Sequence, residues 1–103
     1  MSLPAAGDES AVLLQQLQTA IARAELTCQD QPSPACRVNL PLAQLKLKQA
    51  RLRHARGAGA AGDIQRDVQF GLRLLQMAER GEVYQPPRST LTELAYIAAN
   101  DGS

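Results

Sequence analysis

Helix-breaking residues gather at three places in this chain, and the stretches between them carry apolar side chains at helical spacing. Pro32-Ser33-Pro34 forms the first group, Gly57-Ala58-Gly59-Ala60-Ala61-Gly62 the second, and Gly81 with Pro86-Pro87 the third. Proline lacks the donor that continues a helix and glycine readily adopts the left-handed conformation that ends one, so each group is a natural terminus. The chain is thereby divided into a few helices of moderate length joined by short turns.

The first helix is expected over about 9–28, with Asp8 or Ser10 as N-cap after a flexible start at 1–8. Leu14, Leu17, Ile21, Ala24 and Cys28 recur at three- and four-residue intervals and define its buried stripe, while Val12 and Leu26 fall outside it. A second helix is expected over about 40–56, with Asn39 as N-cap and Pro41 in the first turn. Two narrow stripes compete on it: Leu42, Leu45, Gln49 and Leu52 on one side, and Ala43, Leu47, Ala50 and His54 on roughly the opposite one. The third helix, about 63–80 and capped by Asp63, has the broadest apolar arc, from Ile64 and Val68 to Leu74, Leu75 and Ala78. That breadth implies burial against two neighbours, and Gly71 within the arc implies a close helix crossing. A short fourth helix is expected over about 90–99, because Thr90-Leu91-Thr92-Glu93 matches a capping box.

Composition agrees. Seventeen Ala and 15 Leu dominate the apolar residues, whereas Ile and Val together number 7, which favours helix over strand. At 103 residues the chain can close one hydrophobic core and not two. The expected fold is all-α: a single domain over 1–103, a small antiparallel bundle of three main helices plus the short C-terminal fourth, with the third helix at the centre.

Cys28 and Cys36 are the only cysteines, separated by a polar, proline-bearing run that reads as a loop able to bring the sulfurs together. A disulfide between them places the protein in an oxidising compartment, periplasmic or secreted; reduced cysteines place it in the cytoplasm. Met1–Glu9 shows neither the basic nor the apolar region of a secretory leader, and reads as a mature fragment behind a non-native start. No apolar run approaches the roughly 20 residues that span a bilayer.

Chemistry-bearing residues are sparse. Three aromatic residues and no Trp make no stacking platform or cation cage. One His and two Cys do not supply a usual zinc shell, and no cofactor motif is present. His54 sits among Arg51, Arg53 and Arg56, which offer no acceptor to orient a general base. The expected function is therefore a non-enzymatic protein–protein interaction module, on its own or as an accessory domain of a larger protein, with a protein partner or a second copy as its target.

The formal net charge is +1, but no acid occurs between Asp30 and Asp63, so the second helix is strongly basic. Lys46, Lys48 and Arg51 are candidates for partner contact, and a nucleic-acid-associated role through this helix is the alternative reading. Against it, those cations scatter around the helix circumference. Arg66, Arg73 and Arg80, spaced by seven along the third helix, form a second candidate line for carboxylates of a partner. Leu47, opposite Leu45 and Leu52, is the apolar candidate for that contact.

Overall fold

A computed structural model of the chain describes residues 6–57 and 61–86, and over these it is all-helical, with three helices and no strand. Helix α1 spans Ala6–Asp30, α2 spans Pro34–Arg56 and α3 spans Ala61–Glu79. The expected fourth helix at 90–99 and positions 1–5 of the expected flexible start lie outside the described residues. Helix α1 begins at Ala6, so Asp8 and Ser10 lie within it rather than capping it.

The turn between α1 and α2 is only Gln31–Ser33, because α2 starts at Pro34 rather than near residue 40. Ser33 is the N-cap: its backbone is extended, and its hydroxyl oxygen accepts the Cys36 N–H at 3.1 Å. Pro34 follows at the first helical position, where a missing N–H has no consequence. Asn39 is therefore inside α2, not at its start. Pro41 is internal too and leaves the Arg37 carbonyl without its helical donor. The helix continues through it because Ala35 and Asn39 before it, and Ala43 and Leu47 after it, are all buried in the fold.

Gly57 ends α2 with φ +85° and its N–H on the Arg53 carbonyl at 3.2 Å. Asp63 lies in the first turn of α3 rather than at its cap, where its charge still complements the helix N-terminus. At the other end of α3 the Glu82 N–H reaches the Met77 carbonyl and the Gly81 N–H the Ala78 carbonyl, with Gly81 at φ +75°. This is a Schellman closure, in which two terminal carbonyls regain donors and the chain reverses.

Contacts between partners fix the directions. Arg51 meets Gln18 and Cys36 meets Cys28, so α2 runs antiparallel to α1; Asn39 meets Leu74 and Arg53 meets Asp63, so α3 runs antiparallel to α2. Helix α3 packs on both other helices. The core comprises Leu14, Leu17 and Ile21 of α1, Ala43, Leu47 and Ala50 of α2, and Ile64, Val68, Leu74 and Leu75 of α3. Gly71 sits where α3 crosses α1: a Cβ there would lie 2.9 Å from both methyls of Leu17, so only glycine permits this approach without a shift. Cys28 and Cys36, Cα atoms 5.7 Å apart and sulfurs at disulfide distance, staple the last turns of α1 to the first turn of α2.

Candidate interaction surface

The fold uses its buried polar groups to hold itself together. Asn39 is wholly buried, and its amide nitrogen donates to the Leu74 carbonyl at 3.0 Å and to the Glu82 carbonyl at 2.9 Å. Its amide oxygen accepts the Tyr84 N–H at 2.9 Å. One side chain of α2 thus ties down both the end of α3 and the segment leaving it. Tyr84 then lies edge-on to Phe70, ring centroids 5.4 Å apart, with the Lys46 ammonium 5.1 Å from the Phe70 centroid. Nearer the other end of α2, the Arg53 guanidinium lies 3.3 Å from the buried Asp67 carboxylate and 3.4 Å from Asp63. That Asp67 oxygen makes no aligned hydrogen bond, so the Arg53 charge is its main compensation.

With these groups turned inward, the apolar residues of α2 divide unequally. Ala43, Leu47 and Ala50 are in the core, while Val38, Leu45 and Leu52 are 38%, 46% and 53% exposed. The expectation that Leu47 meets a partner is corrected: it is 7% exposed and belongs to the core. Small Ala43 and Ala50 let neighbouring helices approach α2, Leu47 fills the space between them, and the opposite leucines are left outside.

The outer residues are not scattered. Val38, Leu42, Leu45, Gln49 and Leu52 succeed one another at alternating intervals of four and three, so each is the helical neighbour of the next. Leu42 and Gln49 are half-buried and the other three exposed. Four-three spacing puts them on one face of the helix, a geometry that suits packing against a second helix, with residues flanking such a seam deciding which helix can pair with it. Here the flanking positions are Lys46 and Arg53 on the α3 side and Lys48 on the open side.

The charged candidates occupy different places. Lys46 faces Phe70 and donates to the Gln49 side chain at 3.3 Å; Arg51 faces α1 and donates to the Gln18 side chain at 2.7 Å; Lys48 is exposed on the outer flank. The three are therefore not gathered into one patch. Arg66, Arg73 and Arg80 are all exposed; Arg66 lies 3.6 Å from Asp63, and among the described residues Arg73 and Arg80 make no ion pair. His54 is half-buried on α2 between Arg53 and Ala55. Among the described residues no group of three His, Cys, Asp or Glu is placed to hold a metal ion, and no helix is long and apolar enough to cross a membrane.

Sequence reasoning found the outer stripe but not its exposure, and missed the Asn39 junction altogether. No local signal in the sequence marks the latter, whose partners lie 35 to 45 residues away. Compared with known proteins, the chain matches no family model, no curated protein and no solved structure.

Proposed function

We propose that this chain is a non-enzymatic helical interaction module that works in an oxidising compartment, periplasmic or secreted, and contacts another protein through the outer face of α2. The observation that carries this reading is the row of large apolar side chains, Val38, Leu45 and Leu52, left in solvent at seven-residue spacing on a helix whose opposite face is buried. Each taken alone would be an ordinary surface residue, but in line they extend about 21 Å along one helix. The Cys28–Cys36 pair supports the compartment. Roles as adaptor or as accessory domain of a larger protein both fit this reading.

Photo-crosslinking in the cells that make the protein tests it. A benzophenone side chain at position 45 or 52 is expected to give a discrete adduct, and one at Gln65 on the solvent side of α3 is not. Equal labelling at all three positions, or none at 45 and 52, overturns the surface. Alkylation without reductant tests the compartment: an unchanged mass is expected, and uptake of two alkyl groups returns the protein to the cytoplasm.

A further inference from the structure

Every charged residue that α2 itself places beside the seam is a cation. Its helix carries Arg37, Lys46, Lys48, Arg51, Arg53 and Arg56 and no acid over Pro34–Arg56. Arg53 is neutralised by Asp63 and Asp67, and Lys46 is held over Phe70, both toward α3. Lys48 is different: it lies three residues after Leu45 and four before Leu52, beside both, exposed and without an ion pair among the described residues. Arg56, four past Leu52, prolongs the seam as a further exposed cation. A helix seated on Val38, Leu45 and Leu52 would bring its own flanking positions against these charges, where carboxylates attract, neutral side chains are indifferent and cations repel.

We propose that the outer face of α2 docks an acidic amphipathic helix of a partner protein, its apolar line on the seam and its carboxylates facing Lys48 and Arg56. This rests on the interaction-module reading and adds the chemistry of the partner. A second copy fits poorly, since two acid-free helices would oppose cation to cation across the seam. A membrane surface fits poorly as well: the apolar line is narrow, interrupted by Gln49 and closed on one flank by α3, whereas interfacial helices sink a broad apolar face.

The test uses the full oxidised chain and a synthetic helix of about three heptads with Leu on its seam and Glu on both flanks, against the same peptide with Lys replacing Glu. By titration at low salt the acidic peptide is expected to bind at least about tenfold tighter than the basic one. The double variant L45K/L52K, its helicity checked by circular dichroism, is expected to lose that binding even though it adds positive charge. K48E is expected to narrow the preference between the peptides. Equal binding of both peptides, or of neither, overturns the proposal. So does acidic-peptide binding that appears only in L94K/I97K, which makes residues 90–99 the natural cover. A dimer in light scattering that L45K/L52K dissolves assigns the face to a second copy instead, and tighter capture by phosphatidylserine vesicles than by the peptide assigns it to lipid. Crosslinks at position 45 with no peptide preference would sink this proposal and spare the broader reading; absence of both would sink the two together.

Discussion

Helices α2 and α3 have similar lengths and pack on each other, yet they use their sequences in opposite ways. Helix α3 buries the large residues its pattern advertises, Ile64, Val68, Leu74 and Leu75, and turns Gln65, Gln69 and Gln76 to solvent. Helix α2 buries Ala35, Asn39, Ala43, Leu47 and Ala50 and exposes Val38, Leu45 and Leu52. Close approach of α1 and α3 accounts for the alanines inside α2; it does not by itself account for a line of large apolar residues outside. The contrast therefore separates a helix whose large apolar residues are taken up by its neighbours from one that leaves several exposed among the described residues. It also makes unequal demands on single residues, and substitutions can measure them.

The largest effect is expected at Asn39. Replacing it by Ala removes both donors from the Leu74 and Glu82 carbonyls and the acceptor from the Tyr84 N–H, at a wholly buried position. Each buried polar group left unsatisfied costs about 1–3 kcal/mol; Leu74 keeps its helical donor, so the expected loss is about 3–4 kcal/mol in urea unfolding. For a domain of this size that is a large part of the total. A loss under about 1 kcal/mol would mean that the segment after α3 is not tied to α2 as described.

Asn39 also shows where reading the sequence stops. The three helices, the Gly57 and Gly81 termini, the Gly71 crossing and the Cys28–Cys36 pairing were legible, because each follows from local spacing or from the conformational habits of Gly, Pro and Cys. Polar residues give no such local signal: Asn at a cap and Asn in a core are the same letter, and only contacts 35 and more residues away distinguish them. The outer seam was half legible for a related reason. Both stripes of α2 are apolar, and their order of burial depends on how closely α3 and α1 approach, which alanines permit and periodicity does not reveal.

Leu47 and the cysteines come next. Leu47→Ala should cost about 2–3 kcal/mol, as for a core leucine in a region partly able to relax. Opening the Cys28–Cys36 link, by reduction or by the double change to Ser, should cost about 2.5 kcal/mol from loop-closure entropy of a ring this small. The first is read from the shift in urea midpoint at unchanged slope, the second from the extrapolated unfolding free energy, because opening the ring also loosens the unfolded chain and raises the slope. A Leu47→Ala loss near zero would put the core on the other stripe and reverse the comparison.

On α3, Gly71→Ala opposes two effects. Helix propensity should gain about 1 kcal/mol, but the new Cβ meets the terminal methyls of the wholly buried Leu17, which must shift within the core. Overpacking of a tight core costs about 1–3 kcal/mol, so a net loss of about 1 kcal/mol is expected. Pairing it with Leu17→Ala should recover most of that overpacking term, because the two side chains compete for one space. A gain in stability from Gly71→Ala alone would show that α1 is free to move away from α3.

The smallest effect carries the most information about α2. Leu45→Ala and Leu52→Ala should each change stability by no more than about 0.5 kcal/mol, since roughly half of each side chain is already in water. Set beside Leu47→Ala on the same helix, two residues from Leu45, the difference is a direct measure of which face the fold needs. If Leu45→Ala instead cost as much as Leu47→Ala in the isolated chain, the outer seam would already be covered from within, and no partner helix would be required to explain it. A near-zero cost leaves two leucines that the described helices do not use, which is the condition the proposed docking face requires.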